Sequence, residues 1–229
     1  MSWDISLRKQ LRHGPERFEL DMHIRSDAGR IVLFGPSGSG KTQTLRLIAG
    51  IGRPDAGRVV VAEQVLADSA SGTWLTPQQR GLGCVFQDHA LFPHLSVRQN
   101  IAFARRSGWF NPPRRIADPV VDRWLRDFHL QAIADHLPHQ ISGGQRQRAA
   151  LARALVHEPR ALLLDEPFAA LDRSLRQQLR RELKALQTDL GLPMLLITHD
   201  DEDVDDLAEQ VVHVRAGRVV DAPRGATTP

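Results

Sequence analysis

Residues 35–42 read Gly-Pro-Ser-Gly-Ser-Gly-Lys-Thr, and they are the most informative part of the sequence. It follows the pattern G-x-x-x-x-G-K-[ST], in which a glycine-rich loop wraps the phosphates of a nucleotide. The apolar run at residues 31–34 predicts a buried strand before the loop. After the loop, Leu45 and Ile48 lie at helical spacing, and Gly50 marks the end of that helix. A strand, a loop and a helix in this order are the context that the pattern requires.

The residue types of the loop suit phosphate binding. Glycines and small serines let successive backbone N–H groups approach the β-phosphate, and the following helix adds the positive end of its dipole. Lys41 can reach the β- and γ-phosphates, and the Thr42 hydroxyl can bind Mg²⁺. The predicted phosphate-binding residues are Gly35, Pro36, Ser37, Gly38, Ser39, Gly40, Lys41 and Thr42.

Composition limits the classes of protein that the chain can belong to. With 229 residues, 41% hydrophobic and 25% charged, it is one globular domain, or one domain with an inserted subdomain. We find no apolar run long enough to span a membrane and no apolar signal core at the start, so we expect the chain in the cytosol. The net charge is +3, but acidic residues nearly balance the scattered arginines. Solvated faces and a protein partner explain these arginines more simply than nucleic acid does.

Alternating residues near the start predict a half-buried strand. Phe18, Leu20 and Met22 alternate with polar residues, and residues 3–7 suggest a partner strand, with a turn at His13-Gly14-Pro15. An exposed aromatic ring here could stack on adenine, and Phe18 is the candidate. An equally good interpretation is a core phenylalanine, since strand phenylalanines usually face the core.

The character of the chain changes after Gln87, which follows a short buried strand at 83–86. A glutamine beside a nucleotide can bind Mg²⁺ or the attacking water through its carbonyl oxygen, although alone it would be an ordinary loop residue. From 89 to 140, prolines interrupt short helical patterns, which predicts an inserted helical subdomain. We expect residues 112–115 to form a surface loop and residues 223–229 to be frayed.

A second helix start, at residues 141–145, has the composition of an anion site. Ser142, Gly143, Gly144 and Gln145 precede a helix with small apolar residues, and side chains leave the glycine N–H groups uncovered. The alternative is that Ser142 simply caps the helix.

Three further candidates follow buried strands. Asp165 and Glu166 come after the apolar strand at 161–164, and His199 comes after the strand at 194–198. The carboxyl ends of parallel strands are where such sheets bind ligands. Asp165 can hold Mg²⁺ with Thr42, Glu166 can polarise the attacking water, and the His199 imidazole can hydrogen-bond the γ-phosphate.

Together these motifs resemble the ATPases of ABC transporters. The phosphate loop, Gln87, the 141–145 segment, Asp165-Glu166, Ala170-Leu171-Asp172 and His199 occur in the order and approximate spacing of that family. The resemblance covers nearly the whole chain, and the serine-glycine-glycine-glutamine run is its most specific mark.

The resemblance implies a fold and a mechanism. The fold is α/β: a P-loop NTPase (RecA-like) core at 1–87 and 157–229, with an N-terminal antiparallel β-subdomain and an inserted α-helical subdomain at about 88–156. Such ATPases form head-to-tail dimers in which one subunit's phosphate loop and the other's Ser142 to Gln145 close on the same ATP, with Mg²⁺. Asp172 would contact the opposite subunit. Membrane permease subunits, and through them a solute-binding protein, are the implied partners.

Within the family, residues 92–96 and Asn100 resemble importer ATPases, which act at the cytoplasmic face of the cell membrane. Residues 65–68, 74–77 and 85–88 are most similar to the molybdate-importer branch, although sulfate and iron importers share most of these motifs. One departure is Gln43, which stands where a threonine or serine usually supports the α-phosphate. A soluble ABC ATPase acting on DNA or the ribosome is the alternative function, and a regulatory module without turnover is a third.

Overall fold

The computed structural model describes residues 2–13, 16–88, 90–105, 111–113, 116–169 and 171–221. The turn predicted at Gly14 and Pro15, Arg114 and Arg115 of the predicted surface loop, Ala170 and the tail at 223–229 lie outside these residues.

The described residues form eleven strands, seven α-helices and two short 3-10 helices at Gln131–Ile133 and Pro138–Gln140. The strands are β1 (Trp3–His13), β2 (Glu16–Ser26), β3 (Arg30–Phe34), β4 (Ala56–Val61), β5 (Gln64–Asp68), β6 (Thr73–Trp74), β7 (Leu82–Val85), β8 (Ala161–Asp165), β9 (Met194–Thr198), β10 (Gln210–Arg215) and β11 (Arg218–Val220). The helices are α1 (Lys41–Ala49), α2 (Pro77–Arg80), α3 (Val97–Phe103), α4 (Pro119–Asp127), α5 (Gly143–Leu155), α6 (Arg173–Leu190) and α7 (Asp201–Leu207).

All described strands join one sheet in the order β6-β5-β4-β1-β2-β11-β10-β3-β9-β8-β7. The half from β10 to β7 is parallel, whereas β1, β2, β4, β5 and β6 pair antiparallel. In the parallel half, Phe34 pairs with Thr198, and Asp165 pairs with Ile197. This register brings the carboxyl ends of β3, β8 and β9 to the same edge, where the phosphate loop, Glu166 and His199 follow.

The central strands are apolar on both faces, because each face covers a different layer. On β3, Val32 packs with the helices α3 to α6, while Ile31 and Leu33 pack with α1 and the antiparallel strands. On β8, Leu162 packs on the same side as Val32, and Leu163 packs on the same side as Ile31 and Leu33. Continuous apolar runs in the sequence therefore reflect a sheet buried on both faces.

The helices between β7 and β8 pack on one face of the sheet, and α5 lies very close to α6. A Cβ atom at Gly144 would stand 2.6 Å from the Leu175 side chain, so glycine at this position permits the close contact. The arginine of α5 at position 148 also pairs with Glu182 of α6, at 2.8 Å.

The structure confirms the predicted strands at 31–34, 161–164 and 194–198. Sequence reasoning did not identify β5, β6 or α2 as elements. The signal for α2 was present, because Thr76 and Gln79 have the spacing of a capping box, the Gln79 side chain accepts from the Thr76 N–H at 3.0 Å, and Pro77 occupies the first turn. Both strands are short, with five and two residues, which leaves little periodicity to detect.

Candidate functional site

The phosphate loop connects β3 to α1 in a conformation that glycine makes possible. Gly38 and Gly40 have φ angles of 78° and 99°, in the left-handed region. A Cβ atom at Gly40 would also stand 2.8 Å from Leu20 and 3.1 Å from Phe18. Gly40 caps α1 and has no side chain, so no cap side chain covers the first N–H groups of the helix. That helix end is therefore suited to an anion.

Lys41 lies folded over this loop and is only 5% exposed. Its Nζ donates to the carbonyl oxygens of Gly35, at 2.6 Å, and Pro36, at 2.8 Å. Burial lowers the pKa of Lys41, and the nearby charges of Glu166 and Asp165 oppose that shift. The ammonium group is thus held beside the loop, where phosphate oxygens could replace the two carbonyl partners.

Thr42 and Asp165 meet at the start of α1 and the end of β8. The Thr42 hydroxyl donates to Oδ1 of Asp165 at 3.1 Å. Asp165 is 3% exposed, and burial raises its pKa, while the hydrogen bond from Thr42 lowers it. A hydroxyl and a carboxylate at this distance are hard oxygen donors, which fit Mg²⁺.

Glu166 has an unusual backbone, with a φ of 46°. Its N–H donates to the carbonyl of Ile197 at 2.9 Å, which holds the turn against β9. Its Oε1 lies 3.0 Å from Nδ1 of His199. A left-handed conformation at a non-glycine residue costs energy and recurs at functional sites. Here it places Glu166 at the wall of the cleft over the phosphate loop.

A cleft of 410 Å³ opens over the loop. Phe18 lines it and also packs against the core, so the structure is compatible with both interpretations of this ring. Leu11 lines the cleft too, and sequence reasoning missed it. The signal was the strand register, because Leu11 lies directly opposite Phe18 in the β1–β2 pair. The lining residues are Leu11, Phe18, Ser37, Gly38, Ser39, Gly40, Lys41, Thr42, Gln43, Gln87 and Glu166.

The second predicted anion site does not line this cleft. Ser142 is exposed and caps α5, with its Oγ accepting from the Gln145 N–H at 3.3 Å. The Gln145 side chain accepts in return from the Ser142 N–H at 2.9 Å. Asp172 is exposed as well and caps α6, accepting from the Leu175 N–H at 3.0 Å. One chain thus brings together the loop, Gln87, Asp165, Glu166 and His199, but not residues 142–145 or Asp172.

Comparison with known proteins identifies the family. The sequence model described as "ABC transporter" matches residues 19–169. The chain belongs to the ABC transporter family. It is similar to the dimeric, post-hydrolysis structure of the ATP-binding cassette MJ0796 bound to ADP and Pi, with a TM-score of 0.78, 27% identity and coverage of 96% of this chain and 97% of that one. This likeness confirms the predicted fold class, so the chain has the fold of an ABC ATPase cassette.

Two relatives have names that mention import. The chain is 45% identical over 200 residues to the spermidine/putrescine import ATP-binding protein PotA of Nitratidesulfovibrio vulgaris, covering 87% of this chain and 52% of the relative. It is 42% identical over 201 residues to the sulfate/thiosulfate import ATP-binding protein CysA 2 of Agrobacterium fabrum, covering 87% and 57%. The chain therefore spans about half the length of the curated relatives it matches. Within the described part of this ABC protein, no helix combines the length and apolarity that crossing a membrane requires.

Proposed function

We propose that this ABC protein binds and hydrolyses ATP and that this hydrolysis energises a type I importer. The observation that carries the proposal is the cleft itself. The phosphate loop, Glu166 and Gln87 line it within one chain, Asp165 bonds Thr42 of the loop, and His199 reaches Glu166. These are the groups that phosphoryl transfer to water needs: a phosphate cradle, a site for a cation and a base.

The chemical roles follow from the contacts. Lys41 exchanges the carbonyls of Gly35 and Pro36 for the β- and γ-phosphate oxygens. The Glu166 carboxylate accepts a proton from water as the water oxygen bonds to the γ-phosphorus, and the bond from that phosphorus to the ADP oxygen breaks. His199 hydrogen-bonds Glu166 on one side and the γ-phosphate on the other, and Gln87 orients the water. Thr42, Asp165 and Gln87 would hold Mg²⁺, which neutralises phosphate charge when bound.

The exposed Ser142 at the start of α5 supports a homodimer with ATP at the interface. Since residues 142–145 lie outside the cleft of their own chain, they are available to cover the nucleotide of a partner, with Asp172 at the same interface. In this proposal the chain has two parts: a core at 1–87 and 157–229, and a helical subdomain at about 88–156. The helical subdomain contacts the permease. The homodimer would act at the cytoplasmic face of the membrane, and the permease would receive solute from a binding protein.

For the solute, we propose molybdate or a related oxyanion such as sulfate. The motifs at 65–68, 74–77 and 85–88 support this choice, and the name of the sulfate/thiosulfate relative supports the oxyanion class. The spermidine/putrescine relative makes a polycation the competing solute. Uptake of molybdate, sulfate and spermidine, compared in cells carrying the parent chain or Glu166→Gln, tests the choice. Loss of spermidine uptake alone would refute an oxyanion.

Glu166→Gln tests the ATPase mechanism. Removing the base should lower the turnover rate by at least about 100-fold, the lower end for general-base catalysis, while ATP remains bound and the dimer accumulates. Glu158→Gln is a matched control, because Glu158 is exposed and also has a positive φ, of 53°. Hydrolysis by Glu166→Gln at the parent rate would rule out Glu166 as the base.

Ser142→Arg tests the shared site. The long cation should block closure of the dimer without weakening the first binding of nucleotide to a monomer. Ser142→Ala is the control, since it removes the cap, at a cost of about 1 kcal/mol, without adding bulk. If Ser142→Arg weakens ATP binding by the monomer as much as it weakens dimerisation, the shared-site proposal is wrong.

A further inference from the structure

An arginine of helix α5, Arg153, contacts Ala90 and Phe92, which follow the cleft-lining Gln87 in the chain. Arg153 lies near the carboxyl end of α5, and its Nη1 donates to the Ala90 carbonyl at 2.7 Å. Its guanidinium carbon also stands 5.8 Å from the centre of the Phe92 ring, within cation–π range. Burial lowers the pKa of Arg153 to about 10. Arg153 is half-buried, and this contact combines a charged hydrogen bond with a ring contact.

The contacted segment begins inside the nucleotide cleft, because Gln87 lines that cleft. Ala90 has a φ of 47°, a conformation that L-residues rarely adopt, so a donor on its carbonyl stabilises a strained turn. Phe92 is fixed by the buried Asn100, whose Oδ1 accepts from the Phe92 N–H at 2.8 Å. Phe92 also packs on Phe103, with ring centres 4.4 Å apart. Arg153 thus contacts Ala90 and Phe92, which follow the cleft-lining Gln87 in the chain, and Phe92 is bonded to Asn100 of α3.

The other end of α5 carries the second anion site. Helix α5 runs as one element from Gly143 to Leu155, and Ser142 caps its first turn. A continuous helix transmits a shift of one end to the other. A change at Gln87 on nucleotide binding could therefore reach residues 142–145 through the Ala90 and Phe92 contacts and the body of α5.

We propose that Arg153 is a positioning residue that links nucleotide occupancy of a chain's own cleft to the placement of its residues 142–145. This inference rests on the proposed function, in which those residues close on the ATP of a partner subunit. Arg153 touches no nucleotide in this scheme. It acts through Ala90 and Phe92 on one side and through α5 on the other, so its removal should separate ATP binding from dimerisation.

The test uses the full chain in the Glu166→Gln background. Binding of a fluorescent ATP analogue is measured at protein concentrations where the chain is a monomer, and dimerisation with Mg-ATP is measured by sedimentation. Arg153→Gln should leave the ATP dissociation constant within about twofold of the parent value. It should raise the dimer dissociation constant about tenfold, the effect of losing one charged hydrogen bond. Arg126→Gln, at an exposed position on α4, controls for the lost charge and should match the parent.

Arg153→Lys separates geometry from charge. Lysine keeps the cation and a donor for the Ala90 carbonyl but lacks the planar group over the Phe92 ring. We expect an intermediate dimer constant, raised about threefold. If Arg153→Gln does not fold, Phe92→Leu keeps the hydrogen bond and removes the ring, and it should also weaken the dimer about threefold with unchanged ATP affinity. A dimer as tight as the parent's in these variants overturns the proposal, as does an equal loss of ATP binding and dimerisation.

Hydrogen exchange distinguishes failure of this inference from failure of the shared-site model. In the monomeric parent, ATP should change the exchange rates of the amides at 142–146, and Arg153→Gln should abolish that change. If the Glu166→Gln parent never dimerises, the shared site fails, but the exchange experiment still decides the role of Arg153. An ATP response at 142–146 that survives Arg153→Gln overturns the link.

Discussion

Asp165→Asn should stabilise the nucleotide-free protein while removing its response to Mg-ATP. Asp165 is 3% exposed, and burial raises its pKa, so its ionised form is less favourable in the folded protein than in the unfolded chain. Asparagine has nearly the same shape and keeps an oxygen that accepts from the Thr42 hydroxyl, at 3.1 Å in the parent. Relief of the burial cost should raise the free energy of unfolding by about 1 kcal/mol, the lower end for a poorly compensated buried polar group. For a chain of this length, that corresponds to about 2–4 °C in Tm.

The pH dependence of this gain has a definite sign. Because the pKa of Asp165 is raised in the folded state, the folded protein takes up a proton at a higher pH than the unfolded chain does. The cost of the charged carboxylate is present well above the raised pKa and disappears as the pH falls through it. The stability difference between Asp165→Asn and the parent should therefore be larger at pH 8 than at pH 4, close to the ordinary pKa of the carboxyl group.

Urea unfolding at the two pH values, with and without Mg-ATP, measures these effects. Ligand at 100 times its dissociation constant should stabilise the parent by about 2.7 kcal/mol, and a variant that cannot hold the cation should gain much less. Asp205→Asn, at an exposed position on α7, is the control and should change neither quantity. A lower stability of Asp165→Asn than of the parent at pH 8 would refute the reasoning, because the carboxylate would then be stabilised by its site.

The same measurements check three further expectations. Phe18→Ala should weaken ATP binding by about 1–3 kcal/mol if its ring stacks on adenine, and Leu11→Ala is the matched cleft variant. Lost stability with unchanged ATP affinity would favour a core role for Phe18. Gly50→Ala should destabilise by at least about 2 kcal/mol, because φ is 82° and the new Cβ would stand 2.5 Å from Arg80; equal stability would contradict this. Gln147→Met should raise the free energy of unfolding by about 1–3 kcal/mol, because the side-chain amide oxygen and nitrogen of Gln147 are buried without a hydrogen-bond partner. A lower free energy of unfolding would mean that these atoms have a hydrogen-bond partner in the protein.

Much of the site could be predicted because its chemistry is local in sequence. A phosphate loop needs small residues within eight positions, and the strands around it are buried on both faces, so they appear as short apolar runs. Asp165, Glu166 and His199 follow such runs directly. Since parallel strands end at one edge of the sheet, their placement near the loop followed from the strand assignments alone.

Other features depend on contacts between distant segments and left no local signal. Arginines were expected on solvated faces, yet Arg80 is fully buried and donates to the carbonyls of Leu47, at 3.0 Å, and Ile48, at 2.6 Å. It thereby holds the carboxyl end of α1. Arg180 is 1% exposed and pairs with Asp203 at 2.5 Å. A lone arginine in a sequence does not show whether carbonyls or carboxylates from other elements will surround it.

Leu11 illustrates a different limit. Its place in the cleft follows from the strand register with Phe18, and no functional motif in the sequence marks that register. The positive φ of Glu166 is likewise invisible in the sequence, since nothing marks this glutamate as left-handed. The residue types of the site could be predicted from the sequence, whereas the orientation of their side chains depends on the tertiary structure.

The two interpretations of Ser142, as a helix cap and as part of an anion site, are compatible. Its Oγ accepts from the Gln145 N–H, and the Gln145 side chain accepts from the Ser142 N–H. Neither bond uses the N–H groups of Gly143 or Gly144, which belong to the first helical turn and have no partner within the helix. The capping box therefore fixes the direction of the helix start and leaves the N–H of the half-buried Gly143 for a phosphate oxygen, whereas Gly144 is buried. A serine cap with glycines at the next two positions serves both purposes, which supports the proposal that α5 completes the nucleotide site of a second subunit.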